Sequence, residues 1–260
     1  YATTNSIANQ GSATATSTTV EFTGLDLGYY LVDTTLGTLC SLDTTDPSVT
    51  IKEKNEKPII EKEVEEDSTG TYGDSDDANI GQVVNFKTTV TAKQGAEGYV
   101  VHDILSEGLT LDENSIVVTG TKFLRTGAES LFILENQTFT AGTDYTVEFD
   151  KACGHAGKTG NCDFVITFAQ SYLDTIEKDV EIVISYSAIV NENAVIGLPG
   201  NPNDTILEYS DDNWTKWDET VTYTWDVDVL KYANGDESKV LADAKFVLLN
   251  NDKTKVATFE

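Results

Sequence analysis

The runs VNFKTTVTA at residues 84–92 and VEIVISYSAIV at 180–190 decide the fold class, because both alternate apolar and polar side chains. β-Branched and aromatic residues dominate them, as in strands that cover a core with one face. Shorter runs of the same kind, YTVEF at 145–149 and DFVITF at 163–168, lie between them. Regularly spaced short strands predict an all-β protein built from tandem immunoglobulin-like β-sandwiches. One stretch, AQSYLDTIEKD at 169–179, is predicted to form a short helix.

The chain divides into three blocks. Residues 1–57 are predicted to be the C-terminal part of one sandwich together with a linker, and residues 58–223 form a complete sandwich. Residues 224–260 open a third domain with too few strands to close by itself. We therefore expect the first and third blocks to be parts of larger domains.

The charge balance excludes several classes of partner. The chain has 17 basic and 44 acidic residues and a net charge of −27, which disfavours nucleic acid and anionic membranes. No apolar run approaches the about 20 residues that span a bilayer. Two histidines and the absence of a Gly-rich phosphate loop indicate a protein that is not an enzyme and has no cofactor. The acidic run DSDDAN at 74–79 lacks the ligand spacing of a calcium-binding EF-hand loop, so a solvated turn without metal is predicted there.

The cysteines suggest one local cross-link. Cys153 and Cys162 flank a Gly-rich segment, CGHAGKTGNC, that can turn and bring the two sulfurs together. A disulfide is favoured over a metal site, for which His155 would be the one nearby additional ligand. Cys40, in the apolar run LGTLCSL, is predicted to be a buried free thiol.

Two charged residues are predicted on the inner faces of strands. In IIEKEVE (59–65), Lys62 shares a face with Ile60 and Val64, and the glutamates occupy the other face. In GYVVHDILSEGL (98–109), Asp103 shares the apolar face, and the adjacent His102 is predicted to point outward. A buried Lys62–Asp103 salt bridge is one interpretation. The other adds an Asn beside the pair, whose amide carbon the lysine amine attacks to form a covalent isopeptide bond.

A similar pattern recurs in the third block. In WDVDVLKY (225–232), Lys231 shares a face with Val227 and Val229. Two predicted domains that each open with an inward lysine form a weak internal repeat.

Three segments carry a family resemblance. The run ISYSAIVNENAVIGLPGNPNDTILEYSDD (184–212), the opening KPIIEKEV (57–64) and the strand YVVHDILSEGLTL (99–111) resemble backbone pilins of Gram-positive, sortase-assembled pili. These pilins consist of collagen-adhesin A- and B-type domains with internal isopeptide bonds. The resemblance implies that Lys62 is the amine donor, Asp103 the proton shuttle and Asn191 the acceptor. Asn193 is the alternative acceptor, because alternation puts Asn191 on the face opposite to that of Tyr186.

The same resemblance implies the assembly. The segment VEFTGLDLGYYLVDT (20–34) is similar to the end of the family's first domain, and the third block is similar to the start of a collagen-adhesin B-type domain, with Lys231 as its bonding lysine and its partners outside this chain. Lys54, in VTIKEKNEKP (49–58), matches the lysine that sortase joins to the next subunit. The resemblance thus implies an extracellular, wall-anchored shaft of copies joined head to tail, with the pilus sortase and a host surface or matrix as further partners. The alternative is an adhesin that binds a host ligand through Trp214 and Trp217.

Overall fold

The computed structural model describes residues 11–12, 20–32, 38–51, 57–126, 130–153, 160–210, 213–241, 245–249 and 255–259. Strands dominate this part of the chain, with a 3₁₀ turn at Glu113–Ser115 and a helical turn, α1, at Gln170–Leu173. The strands are β1 (Gly28–Val32), β2 (Thr38–Leu42), β3 (Ile59–Glu66), β4 (Thr71–Gly73), β5 (Ser75–Asp77), β6 (Val83–Ala92), β7 (Val100–Leu105), β8 (Leu109–Leu111), β9 (Val117–Thr126), β10 (Ser130–Thr138), β11 (Tyr145–Ala152), β12 (Asn161–Phe168), β13 (Val180–Val190), β14 (Asn201–Tyr209), β15 (Asn213–Trp214), β16 (Asp218–Tyr223), β17 (Tyr232–Ala233), β18 (Asp236–Val240), β19 (Phe246–Leu249) and β20 (Lys255–Phe259).

One sheet is built around the two longest alternating runs of the sequence. Its order is β10–β9–β13–β6–β3–β4, with β8 also paired to β13, and all its pairs are antiparallel. In β13 the residues with even numbers from Val180 to Val190 are apolar or aromatic, and all six are buried in the core. Period-two alternation therefore fixes which face of this sheet is covered.

The second sheet has the order β11–β12–β7–β14–β16–β5, with β15 also paired to β14. Its pairs are antiparallel except for the parallel pair of β16 and β5. The backbone N–H of Lys62 in β3 donates to Asp218 Oδ2 of β16 at 2.6 Å, so the two sheets meet along this edge.

The two sheets pack face to face around one core. Tyr186 of the first sheet meets Phe164 of the second edge to face, with ring centroids 4.9 Å apart. Apolar side chains from both sheets are buried around this contact, and each contributes about 1.5–3 kcal/mol of transfer free energy. The arrangement is the predicted immunoglobulin-like sandwich.

Outside the strands of this sandwich, the described residues form three two-stranded sheets: β1–β2, β17–β18 and β19–β20. Cys40 of β2 is half-buried rather than buried as predicted, because the β1–β2 hairpin presents it to no second layer among the described residues. The helix predicted over 169–179 is limited to the single turn α1. In the described part of the chain, no helix combines the length and the apolar character needed to cross a bilayer.

Candidate functional site

Lys62 and Asp103 meet in the centre of the sandwich. Lys62 lies on β3 of the first sheet and Asp103 on β7 of the second, and both point into the core. Lys62 Nζ donates to Asp103 Oδ2 at 2.6 Å, and neither side chain has any solvent exposure. Alternation along the two strands identified both residues because each shares a face with buried apolar neighbours.

Tyr186 also takes part in this contact, because its phenol oxygen is hydrogen-bonded to both Lys62 and Asp103. Lys62 Nζ also donates to Tyr186 Oη, and Tyr186 Oη donates to Asp103 Oδ1 at 2.9 Å. The rings of Phe86 and Phe164 cover the phenol, with centroids 5.5 and 4.9 Å from that of Tyr186. The charged groups are therefore enclosed by aromatic side chains, away from water.

Asn203 brings an amide into the same enclosure. It lies on β14, which pairs with β7, and its side chain is fully buried. Asn203 Nδ2 donates to Tyr186 Oη at 2.9 Å, so a single hydroxyl links the amide to the lysine amine. Asn203 Oδ1 is buried without a hydrogen-bond partner among the described residues. A buried amide carbonyl without a hydrogen-bond partner costs free energy of folding. Asn203 Oδ1 is therefore the unsatisfied acceptor of this network.

Burial shifts the proton affinities in the direction that activates the amine. Desolvation lowers the pKa of Lys62, and the negative charge of Asp103 opposes this shift. Desolvation also raises the pKa of Asp103, against the opposing effect of Lys62, and it raises the pKa of Tyr186 well above its usual range. These shifts favour a neutral lysine amine, which is a nucleophile, beside a protonated carboxylic acid.

The structure does not bring Asn191 or Asn193 to Lys62, which corrects the acceptor predicted from the sequence. Asn191 follows the end of β13, where its Nδ2 donates at 2.9 Å to Glu107 O and to Thr110 Oγ1. Asn191 Oδ1 accepts from the backbone N–H of Asn193, which is itself exposed. The reason is the parity of β13: its pairing with β6 and β8 has no bulge, so Asn191 keeps the outward direction of the odd-numbered residues.

A signal for Asn203 was present in the sequence. In NPNDTILEY, which forms β14, counting back by two from Leu207 passes Thr205 and reaches Asn203, and all three are buried. The same count used for Lys62 and Asp103 would thus have placed Asn203 on the inner face. Tyr186 was also missed, although it shares the inner face of β13 with Ile184.

Cys153 and Cys162 form a disulfide on the outer side of the second sheet, with Cα atoms 5.2 Å apart. His102 lies against it, with Nδ1 3.7 Å from Cys162 Sγ, and its Nε2 is 3.4 Å from Glu208 Oε2. His102 is buried rather than open to solvent, since the disulfide and the ring of Trp214, 5.2 Å away, cover it. These sulfurs and the imidazole are close enough to hold a metal ion, but the disulfide leaves no thiolate to ligate one.

The remaining site predictions fall outside the sandwich core. Lys231 is exposed, and residues 225–231 form no strand, so its predicted inward direction is wrong in this structure. Val227 and Val229, which share its predicted face, are 68% and 58% exposed, because no second layer of described residues covers them. Lys54 and His155 lie outside the described residues. Trp214 and Trp217, the surface of the adhesin alternative, are half-buried.

Comparisons with known proteins agree with this fold. The family described as Gram-positive pilin backbone subunit 2, Cna-B-like domain, matches residues 80–213, more than half of the chain. The trypsin-resistant surface T6 protein of Streptococcus pyogenes serotype M6 is 28% identical over 165 residues, which are 60% of this chain and 26% of that protein. The chain thus spans about a quarter of the length of this relative.

Solved structures of two pilus proteins are similar to this chain. The T6 backbone pilin of serotype M6 Streptococcus pyogenes matches with a TM-score of 0.52 and 22% identity over 89% of this chain and 50% of that one. The full-length major pilin RrgB of Streptococcus pneumoniae matches with a TM-score of 0.47 and 16% identity over 86% of this chain and 37% of that one. With more than half of its residues matched by the family model, this chain belongs to the Gram-positive pilin backbone family.

Proposed function

We propose that this chain is a segment of the shaft subunit of a covalently polymerised Gram-positive pilus, and that its sandwich carries an isopeptide bond between Lys62 and Asn203. Membership of the backbone family supports the structural role. The contacts around Tyr186 support the bond, because they bring an amine, an acid and an amide into one buried hydrogen-bond network.

The proposed chemistry is a transamidation that needs no cofactor. The neutral Lys62 Nζ attacks Asn203 Cγ, so that the Nζ–Cγ bond forms and the Cγ–Nδ2 bond breaks. Asp103, protonated at the start, donates its proton to the departing Nδ2 and takes up the proton that Lys62 Nζ loses, so that Nδ2 leaves as ammonia and Asp103 is protonated again. Tyr186 lies between the reacting groups and holds Lys62, Asp103 and Asn203 at hydrogen-bond distance during the reaction. Proximity and a dry site supply the acceleration.

The unpartnered carbonyl oxygen of Asn203 is the observation that carries this assignment. A salt bridge alone explains Lys62 and Asp103, but it does not explain a fully buried amide beside them with its acceptor oxygen unused. Asn191 offers no such arrangement, since both of its side-chain polar atoms are hydrogen-bonded at the end of β13.

Intact mass spectrometry of the purified chain and two matched variants tests the bond. After reduction of the Cys153–Cys162 disulfide, we expect the wild-type chain to be lighter than its sequence mass by one ammonia. Asn203→Ala should have its full sequence mass, whereas Asn191→Ala should retain the deficit. Peptide mapping should then recover a branched peptide that joins Lys62 to Asn203. A wild-type chain of full mass, or a deficit that survives Asn203→Ala, would contradict the assignment.

Polymerisation is proposed through Lys54, in the predicted linker at the end of the first block. A pilus sortase is the proposed joining enzyme, and the wall-anchored pilus outside the cell is the proposed location. Wall extracts of a producing strain should give a ladder on denaturing gels. Lys54→Ala should collapse the ladder to a single band without changing the ammonia deficit. A ladder that persists in this variant would assign the joining lysine elsewhere, and a single band from the wild type would favour the adhesin alternative.

A further inference from the structure

Three carboxylates gather at one edge of the sandwich, outside the aromatic enclosure of Lys62. Glu66 is the last residue of β3, Asp67 follows it, and Asp76 is the middle residue of β5. An oxygen atom from each lies within 4.8 Å of the others. Like charges at this separation repel one another, so the fold holds the three groups together at a cost in free energy.

Asp76 is the unusual member of the cluster. It is 4% exposed, and its Oδ1 is buried with no hydrogen-bond partner among the described residues. No ion pair found in the described ranges includes any of the three carboxylates. Backbone N–H groups of Asp77 and Asp67 donate to the Asp76 carboxylate, but Oδ1 stays without a partner. A buried carboxylate oxygen without a donor or a cation is unfavourable, so Oδ1 is the atom that a bound cation would compensate.

The other two carboxylates are held in place by local hydrogen bonds. The Ser68 backbone N–H and hydroxyl donate to the Glu66 carboxylate at 3.1 and 2.8 Å, and Gln82 Nε2 donates to Asp67 Oδ2. The Thr69 hydroxyl and backbone N–H also donate to the Glu66 carboxylate, and together these bonds fix the direction of the group. The cluster is therefore preorganised and does not consist of three freely rotating surface acids.

We propose that Glu66, Asp67 and Asp76 bind a calcium ion. All three groups supply oxygen atoms and none supplies nitrogen or sulfur, which favours a hard cation over zinc or copper. Calcium–oxygen distances of about 2.3–2.6 Å put ligand oxygens up to about 5 Å apart, which accommodates the observed cluster. Calcium also accepts irregular coordination and additional water ligands, whereas magnesium demands a near-ideal octahedron.

The position of the site gives the ion a structural role. β3 belongs to the first sheet, and β5 pairs in parallel with β16 at the edge of the second. An ion held by residues at the end of β3 and in β5 therefore ties the two sheets together at this edge. Asp77, the next residue of β5, accepts the indole N–H of Trp225 at 2.8 Å, so the site adjoins the point where the chain leaves the sandwich.

Thermal unfolding of the chelator-treated chain tests the proposal. Addition of about 10 mM calcium chloride, roughly tenfold or more above the 10⁻⁴–10⁻³ M dissociation constants typical of extracellular calcium sites, should raise the unfolding temperature by several degrees. Magnesium chloride at the same ionic strength should raise it much less. Calorimetric titration with calcium chloride should give one ion per chain.

Two variants separate binding from a purely structural role. Asp76→Asn should abolish the calcium-dependent shift and raise the unfolding temperature of the chelator-treated chain, since it removes a buried charge; a structural carboxylate would instead lose stability in both conditions. Asp67→Asn, at an exposed position, should weaken calcium binding at least tenfold in a chain that folds normally. Glu192→Gln, an exposed acid outside the cluster, should leave the shift unchanged.

Equal shifts with calcium and magnesium would reduce the effect to charge screening and overturn the proposal. A calcium shift that persists in both Asp76→Asn and Asp67→Asn would overturn it as well. Neither outcome bears on the isopeptide bond, whose ammonia deficit is measured independently.

Discussion

Lys62 and Lys231 lie in similar runs of alternating apolar residues, but the sandwich and the segment that follows it treat them differently. Lys62 has no solvent exposure and contacts Asp103 and Tyr186. Lys231 is exposed, and its predicted neighbours on the same face, Val227 and Val229, are exposed with it. The pattern of the run determines which side chains share a face. Whether that face is buried depends on a second sheet that packs against it.

This difference has a chemical consequence. An exposed ammonium keeps its water and remains charged, whereas an enclosed one loses hydration and becomes a nucleophile when its pKa falls. The lowered pKa of Lys62 arises mainly from burial. The second layer of the sandwich is thus a part of the proposed reaction, as well as of the fold.

The largest expected effect separates the two lysines directly. Lys62→Ala should remove the ammonia deficit and lower the free energy of unfolding by about 3–5 kcal/mol or more, because it leaves the buried Asp103 carboxyl group without its partner. It also removes a covalent link that constrains the unfolded chain, worth up to about 5 kcal/mol for a loop on the order of 100 residues. Lys231→Ala should change stability by less than about 0.5 kcal/mol. Chemical denaturation of both variants measures the difference. Equal losses of stability would contradict the distinction between a buried Lys62 and an exposed Lys231.

A smaller effect is expected from the cysteines. Cys153 and Cys162 are buried in the sandwich as a disulfide, whereas Cys40, outside the sandwich, is a half-buried free thiol. Reduction of the buried Cys153–Cys162 disulfide should lower the free energy of unfolding by about 2–3 kcal/mol, as expected for a loop of about ten residues. The ammonia deficit should survive reduction, because an amide is not reducible by thiols. Unfolding with and without dithiothreitol measures the effect.

The controls for this prediction use all three cysteines. The double variant Cys153→Ser/Cys162→Ser should be insensitive to dithiothreitol, and Cys40→Ser, at the half-buried free thiol, should behave like the wild type. Sensitivity that persists in the double variant would show that the reductant acts elsewhere.

The smallest expected effect concerns a half-buried acid beside the network. Burial raises the pKa of Asp163 from 3.8 to about 6, and its Oδ2 accepts from the Leu105 backbone N–H at 2.7 Å. Because the folded pKa is the higher one, folding favours the protonated acid, and this contribution is complete below about pH 4 and is lost as the pH rises through about 6. Asp163→Asn keeps the acceptor oxygen and should therefore stabilise the chain by about 1–2 kcal/mol at pH 8, with no gain near pH 4.

Unfolding curves at the two pH values measure this difference. Asp228→Asn, in the exposed segment after the sandwich, should change stability by less than about 0.5 kcal/mol at either pH. A gain from Asp163→Asn that is equal at both pH values would mean that charge is not its cause.

The fold class and two members of the site followed from alternation alone. VEIVISYSAIV and VNFKTTVTA pair as β13 and β6 at the centre of one sheet, and Lys62 and Asp103 point inward as the pattern indicates. Period-two patterns are reliable here because the strands are long and covered on one face.

The acceptor could not be predicted with the same security, because it depends on which strands become neighbours. β14 lies beside β7, and this pairing brings Asn203 to Tyr186 and Lys62. Such long-range pairing is not encoded in any short run of sequence. The carboxylate cluster has the same origin: DSDDAN contributes only Asp76, while Glu66 and Asp67 come from the end of another strand.

The places of Lys62 near the start of β3 and of Asn203 near the start of β14 decide how the sandwich would respond to a pull along the pilus. With the proposed bond formed, tension that enters at β3 crosses directly to β14, and the strands from β4 to β13 lie in a closed loop that carries no load. Only the about 20 residues from Asn203 to the end of β16 remain extensible, or roughly 70 Å at about 3.4 Å per residue. Without the bond, more than about 500 Å of chain could be drawn out. The bond would thus make the sandwich a short, nearly fixed-length link.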